Sequence, residues 1–213
     1  MDTARVAVST SRFLLFAAAG LLAAGCSGQS ASAPAAKSHP ATAPAASGAT
    51  PAATGTESPP PGDIPDSTVY IPYRAASGQY TVKVPQGWAK TVKAGAVSFT
   101  DKLNSITITT VHATAPTPAS ARATEVPRIR GSAQRFTLAD VSTVTRPAGS
   151  VVLIRYSAQS QPDPVTGKAY LDSVERYEFY RNGIETVVAL SGPTGADNVD
   201  PWRTVTDSFR WLR

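Results

Sequence analysis

The stretch YLDSVERYEFYRNGIETVVALSG, Tyr170 to Gly192, decides the fold of this chain. Its centre is Asn182-Gly183, which lies between two runs rich in β-branched and aromatic residues. Asn-Gly tolerates the positive φ angles of a type I′ turn, the turn that best joins two antiparallel strands. The stretch is therefore predicted to form a long β-hairpin.

The residues on either side of this hairpin predict more strands of the same kind. Alternation of apolar and polar side chains, with a high density of β-branched residues, is typical of half-buried strands. It occurs in the segments GQYTVKVP, GAVSFTD, NSITITTVHA, RFTLADVSTVTRP and SVVLIRYSAQS. The predicted order is β-β-β-α-β-β-β-β-α, which indicates an α+β domain with an antiparallel sheet and helices packed on it.

Two segments of this domain predict helices. The first begins at about Pro118, with Thr117 as its cap, and is expected to fray or bend at Pro127. The second lies in NVDPWRTVTDSFRWLR, where Val199, Trp202, Val205 and Phe209 are spaced to form one helical face. Its start is predicted at Asp200 as the cap, followed by Pro201 at the first helical position.

The amino-terminal segment resembles the signal peptide of bacterial lipoproteins. A polar start with Arg5 and Arg12 precedes an apolar run from Phe13 to Ala24, which is too short to span a membrane. Cys26, the only cysteine, follows at the position where lipoproteins carry a thioether-linked diacylglycerol. We expect residues 1–25 to be the signal peptide and Cys26 to be the lipid anchor on the extracytoplasmic face of the membrane. The alternative is an ordinary secreted protein with a free thiol.

Between this anchor and the domain lies a segment with a strongly biased composition. Residues 26–62 consist almost entirely of Ala, Pro, Ser, Thr and Gly. Such a segment lacks the large apolar side chains whose burial offsets the entropy of ordering, so it is predicted to be a disordered tether. His39 lies within it. The globular domain is expected to span residues 63–213, long enough for one hydrophobic core.

The sequence offers little material for catalysis or metal binding. It holds one cysteine and two histidines, and it contains neither a Gly-rich phosphate loop nor a Gly-x-Ser-x-Gly elbow. His112 ends a predicted strand, with no identifiable partners for a catalytic triad. Asp197, Asn198 and Asp200 precede the last helix, and turn and capping chemistry accounts for them better than a calcium site, which needs six or more oxygens. We therefore expect no metal, no cofactor and no enzymatic activity.

Two groups of polar residues are candidates for ligand binding. The loop PDPVTGK joins two long strands and presents Asp163 and Lys168, either as a plain hairpin loop or as a recognition loop. The densest basic stretch surrounds the first helix and comprises Arg122, Arg128, Arg130 and Arg135. It is interpreted as a solvated face or as a surface for anionic lipid or cell-wall polymer, in keeping with the formal net charge of +5. An exported protein without aromatic-rich strand motifs is not expected to bind nucleic acid.

Three short motifs, taken in order, resemble the PsbP-like domain. YTVKVPQGW carries a strand into Pro85, Gly87 and Trp88, VERYEFYRNG lies in a late hairpin, and VTDSFRWL ends a helix at Ser208 and Phe209. The resemblance covers residues 70–213 and implies an antiparallel sheet between helices. With the lipoprotein signal and the tether, the chain also resembles small lipoproteins of high-GC Gram-positive bacteria.

The resemblance implies a role in binding or scaffolding without catalysis, and it supplies no catalytic residues. The expected function is therefore that of a membrane-anchored binding or scaffolding protein of the cell envelope. One alternative is a carrier of an apolar or lipid ligand, which would require a cavity between sheet and helix. The other is a cell-envelope hydrolase, which would require a cleft where His112 meets a carboxylate and a hydroxyl.

Overall fold

The computed structural model describes residues 61–163 and 166–213. Cys26, His39, the predicted signal peptide and all but the last two residues of the predicted tether lie outside the described residues. No helix in the described part of the chain is long and apolar enough to cross a membrane.

Ten strands in two antiparallel sheets form the framework of the described residues. The small sheet has the order β1-β2-β10 and the large sheet has the order β3-β4-β5-β9-β8-β7-β6. The strands are β1 Tyr70–Arg74, β2 Tyr80–Pro85, β3 Ala89–Lys93, β4 Ala96–Asp101, β5 Asn104–His112, β6 Thr137–Arg146, β7 Gly149–Gln159, β8 Leu171–Arg181, β9 Ile184–Pro193 and β10 Arg210–Trp211.

The hairpin that decides the fold is present as predicted. β8 and β9 pair in register from Arg181↔Ile184 to Asp172↔Pro193, and Asn182 and Gly183 both have positive φ angles, 50° and 81°. The other strands predicted from alternation are also present, and the α+β class with antiparallel strands and packed helices is confirmed.

Three strands were not predicted, and each lacks the alternation that marks a half-buried strand. β1 is interrupted by Pro72, every residue of β3 is exposed, and β10 has only two residues. Pro72 is tolerated because β1 is an edge strand of the small sheet. These strands owe their conformation to tertiary pairing with β2 and β4.

The first helical segment begins as predicted and changes its winding before Pro127. Thr117 caps it in a reciprocal capping box with Ser120, and Pro118 is the first helical residue. The segment comprises α1 Pro118–Ser120, a π-helical turn Ala121–Glu125 and α2 Val126–Ser132. Pro127 has no N–H and clashes with an α-helical carbonyl four residues earlier, so the wider turn, in which Val126 N–H donates to Ala121 O, accommodates it.

The start of the last helix, α3 Val199–Ser208, differs from the prediction. Its cap position is held by Asn198, while Asp200 and Pro201 already lie in the first turn. Val199 does not belong to the buried face, since 70% of it is exposed. The predicted face was correct for Trp202, Val205 and Phe209, which are buried. The start was misplaced because Asn198 directs its side chain into the core instead of toward the helix amides.

Two hydrophobic clusters lie on opposite faces of the large sheet. The main core lies between the large sheet on one side and the small sheet with α3 on the other, and aromatic rings fill it. Phe209 stacks on Phe179 and on Tyr80, with ring centroids 4.1 and 5.3 Å apart. The second, smaller cluster lies under the π-helical turn and α2.

Candidate ligand-binding groove on the large sheet

The helical segment covers only part of the outer face of the large sheet. Its buried side chains are Ala121, Val126 and Ile129, and they pack against apolar residues of β6 and β7. Those partners are Val141, Val152 and Ile154. Because side chains alternate along a strand, β6 and β7 present a second apolar stripe here in addition to the one that faces the main core.

Among the described residues, the second cluster includes no side chain of β5, β8 or β9. β5, β8 and β9 place small or polar side chains on this face, among them Ser105, Thr107, Val174, Ala189 and Ser191. In the part of the chain that the structure describes, no helix packs over this half of the sheet. An open groove of about 800 Å³ lies between α2, the three strands and the loop residues Ser160–Asp163, Lys168 and Tyr170, and we call it the sheet groove.

A buried carboxylate lies at one end of the sheet groove. Asp172 is 8% exposed, and Ser191 Oγ donates a hydrogen bond to its Oδ2 at 2.6 Å. Burial raises the pKa of Asp172, and the hydrogen bond from Ser191 opposes that shift. The pair gives the groove an acceptor that a ligand hydroxyl or amine could engage.

A network of charges lies at the other end, beneath α2. Arg176 of β8 contacts Glu125 at 2.9 Å and Glu178 at 3.2 Å, and Arg128 also pairs with Glu125. Glu178 is 1% exposed. Its burial raises its pKa to about 7, against the opposing influence of Arg176. Burial likewise raises the pKa of Glu185 on the neighbouring strand.

The loop that was predicted to be either a plain hairpin or a recognition loop forms one wall of the sheet groove. Asp163 Oδ1 accepts hydrogen bonds from Thr166 N–H at 2.7 Å and from Thr166 Oγ at 2.9 Å. Asp163 N–H donates to Lys168 O at 2.8 Å. Asp163 and Lys168 thus stabilise a turn, and both also line the groove.

The four arginines of the basic stretch do not form one site. Only Arg128 lines the sheet groove. Arg122 donates to Val141 O and lies 3.8 Å from Asp140, while Arg130 lies over the ring of Phe136 at 5.4 Å. Arg135 is exposed in the turn after α2. These four arginines are close together in the sequence but lie apart in the structure, and carboxylates partly neutralise two of them, Arg122 and Arg128.

His112 lies on the opposite side of the large sheet from the sheet groove. It is exposed and lines a shallow depression with Thr110 and Lys90, and no carboxylate occurs among the described residues that line it. Among residues 61–163 and 166–213, no group of three or more His, Cys, Asp or Glu side chains is placed to hold a metal ion. Within the described part of the chain, His112 therefore does not meet the carboxylate that the hydrolase alternative requires.

Several residues that shape the site were not anticipated from the sequence. Asn198 Nδ2 donates to Asn104 Oδ1 and to Gly62 O, both at 3.0 Å, and Asn198 Oδ1 accepts from Ile64 N–H at 2.9 Å. This amide cluster fixes the segment that enters the domain. Arg176 and Glu178 had one usable signal: opposite charges two residues apart on a strand share a face. Asn104 and Asn198 had none, because they are 94 residues apart in the chain.

Comparisons with solved structures identify the fold. The structure is similar to the solution structure of the cyanobacterial PsbP protein (CyanoP) from Synechocystis sp. PCC 6803, with a TM-score of 0.51 and 14% identity over 71% of this chain and 98% of that chain. Weaker similarity extends to the Ran-binding protein Mog1p of Saccharomyces cerevisiae, with a TM-score of 0.46 and 11% identity over 67% of this chain and 95% of that chain. LpqN of Mycobacterium tuberculosis, described as involved in cell envelope biogenesis, has a TM-score of 0.42 and 12% identity over 70% of this chain and 93% of that chain.

At the level of sequence, no protein-family model and no curated protein matches the chain. The similarity to CyanoP shows that the domain has a PsbP-like fold, as the order of its motifs had indicated.

Proposed function

We propose that this chain is a lipoprotein of the cell envelope, anchored through Cys26, whose PsbP-like domain binds a polar ligand in the sheet groove without catalysing a reaction. The observation that carries the proposal is the incomplete cover of the large sheet. Within residues 61–163 and 166–213, no helix covers the seven-stranded sheet over β5, β8 and β9, and the opening there holds hydroxyl groups, a buried carboxylate and cations.

The composition of the sheet groove favours a polar ligand over an apolar one. Ser105, Thr107 and Ser191 supply hydroxyls at its floor, and Lys102, Arg128 and Lys168 supply positive charge at its edges. Specific small-ligand sites combine a concave surface with a few well-placed polar groups. The carrier alternative requires an apolar cavity between sheet and helix. Stacked aromatic rings occupy the space between the large sheet and α3, and the groove beside α2 is lined by many polar side chains.

The groove is tested by capture of the acylated protein from its own membranes, with mass spectrometry of lipids, small molecules and proteins. A matched sample carries Ala189→Trp, which fills the floor of the groove with a large ring. We expect one polar ligand or partner to accompany the wild-type protein in stoichiometric amount and to be lost from the variant. An equal yield from both samples would show that binding occurs elsewhere.

The anchor is tested independently by Cys26→Ala. Acyl chains on Cys26 bind the bilayer with about 0.8 kcal/mol for each buried methylene, so their loss is expected to release the processed protein from the membrane fraction. Incorporation of labelled fatty acid into the wild type, and none into the variant, completes the assay. A processed Cys26→Ala protein that stays in the membrane fraction would contradict the anchor.

A further inference from the structure

The turn that joins β1 to β2 is surrounded by exposed cations. Arg74 is the last residue of β1 before the turn. Arg74 of β1 and Arg210 of β10 both pair with Thr81 of β2, one from each side, so both lie on the outer face of the small sheet. Arg181 and Arg213 line a depression of about 320 Å³ against the turn residues Ser77–Gln79. We call this group, completed by Lys90, the basic rim.

Lys90 belongs to the same surface. It lines a second depression, of about 430 Å³, that shares Ser77, Gln79 and Ile184 with the first. Its ammonium lies 4.9 Å from the ring centroid of Tyr73, which holds it beside the small sheet. The two depressions therefore adjoin at the turn. Three members of the basic rim line them, Lys90 the larger depression and Arg181 and Arg213 the smaller one.

The positive charge of the basic rim is not neutralised locally. None of its five members forms an ion pair with a carboxylate of residues 61–163 or 166–213. The residues of the described chain that line the two depressions include no Asp or Glu. Arg210 donates to the main-chain oxygen of Asp207, while the carboxylate of Asp207 lies 3.4 Å from Arg146.

Apolar side chains are exposed among these cations. Val92 is 69% exposed and lines the larger depression. Trp211 and Leu212, half-buried, line the smaller one. Cations with exposed apolar and aromatic neighbours match the boundary between headgroups and acyl chains of a bilayer, where both kinds of group are stabilised. A soluble anionic polymer would leave the apolar groups in water.

We propose that the basic rim is a docking surface for a bilayer rich in anionic phospholipid. Each Lys or Arg near such a surface contributes about 1 kcal/mol, which corresponds to about fivefold in affinity. The surface acts in addition to an acyl anchor and does not require one. An experiment that disproves membrane docking by the basic rim would therefore leave the sheet groove untouched as a ligand site, and the reverse also holds.

The test uses the chain from residue 26 onward with Cys26→Ser, which retains every described residue and carries no acyl chain. Partition onto vesicles of phosphatidylcholine with 30% phosphatidylglycerol is compared with partition onto pure phosphatidylcholine. The rim variant carries Arg74→Gln, Lys90→Gln and Arg181→Gln. The control carries the same loss of charge on the other side of the molecule, with Arg122→Gln, Arg130→Gln and Arg135→Gln. Circular dichroism and thermal unfolding verify that each protein is folded.

We expect the rim variant to lose about 100-fold in partition onto the anionic vesicles, and the control to lose less than fivefold. Binding should weaken with added salt, because exposed charges are screened. An equal loss in both variants would overturn the proposal, since net charge alone would then account for the binding. Binding to soluble polyphosphate with none to the vesicles would overturn it as well.

Discussion

Gly192 shows how little room the amide cluster leaves. It lies buried on β9, and a Cβ built there would clash with Asn104 Oδ1 and lie 2.8 Å from Asn198 Nδ2. Asn198 holds Gly62 and Ile64 through the hydrogen bonds described above, and Asn104 Nδ2 also donates to Gly62 O at 2.8 Å. The two amides can therefore bind the segment at Gly62 and Ile64 only if residue 192 has no side chain.

We expect Gly192→Ala to lower the free energy of unfolding by about 1–3 kcal/mol, the usual cost of overpacking a filled interior. Gly131→Ala is the matched control, because a Cβ at this exposed position of α2 meets nothing within 4 Å. It should raise stability by about 0.5–1 kcal/mol, since alanine is the better helix former. Denaturant titration measures both changes, and a Gly192→Ala protein as stable as the wild type would contradict the described packing.

Glu178 predicts a specific dependence of stability on pH. Its pKa is raised from 4.5 to about 7 in the folded protein, mainly by burial, with Arg176 opposing the shift and Glu185 and Glu125 adding to it. Because the folded state binds this proton more tightly, the resulting stabilisation is fully present below about pH 4.5 and is lost as the pH rises through about 7. Asp172 and Glu185 act in the same direction.

The free energy of unfolding should therefore fall between pH 5 and pH 8, and Glu178→Gln should remove about 3 kcal/mol of that fall. Asp66→Asn, at an exposed carboxylate, serves as the control and should leave the profile unchanged. Chemical unfolding at a series of pH values gives the slopes. Identical slopes for the wild type and Glu178→Gln would show that Glu178 is not held in a desolvated site.

At the scale of elements, the helical segment that packs on β6 and β7 is stabilised at its start by a capping box. Thr117 Oγ accepts from Ser120 N–H at 3.0 Å, and Ser120 Oγ accepts from Thr117 N–H at 2.9 Å. The segment is short and interrupted by a π-helical turn, so its first turn receives little support from regular helical hydrogen bonds.

Thr117→Ala is expected to cost about 1 kcal/mol of stability, the typical value for loss of a cap. Hydrogen exchange at the amides of Ser120 and Ala121 should accelerate, while Thr114→Ala, in the exposed segment before the helix, should change neither quantity. If Thr117→Ala left the exchange at Ser120 unaltered, the capping box would not be the element that fixes the start of this helix.

The elements that could be predicted were those with a local signal. Asn182-Gly183 predicted the hairpin, alternation predicted five further strands, and Thr117-Pro118 predicted the start of a helix. β1, β3 and β10 carry no such signal. β1 and β3 are exposed edge strands that pair with the next strand along the chain, and β10 pairs with β2, far away in the sequence. The predicted start of α3 was wrong because the side chain of Asn198 binds Asn104, 94 residues away in the chain, and makes no hydrogen bond to the helix amides.

The same distinction applies to the candidate site. Asp163, Lys168 and Arg128 were singled out from the sequence, and the structure brings them to one groove. The partners that give the groove its chemistry, Asp172 with Ser191 and Arg176 with Glu178, depend on strand register and on burial. Neither property can be read from charge density along a sequence.

At the scale of the whole molecule, the two proposed surfaces lie on different sides of the large sheet. The sheet groove is on the face partly covered by α2, and the basic rim surrounds the edge of the small sheet that packs on the opposite face. A domain that rests on a bilayer through the basic rim would therefore present the sheet groove away from the lipid. In this arrangement, a ligand in the aqueous envelope reaches the groove without crossing the membrane surface.

The most direct test of the central claim is photo-crosslinking in living cells from a single position in the sheet groove. A photoreactive amino acid at Thr107, on the groove floor, is compared with one at Ser150, an exposed position of β7 outside the groove. The account predicts one dominant adduct from position 107, absent from position 150 and abolished by Ala189→Trp. Adducts of the same identity and yield from both positions, or no adduct from position 107, would contradict a ligand site in the sheet groove.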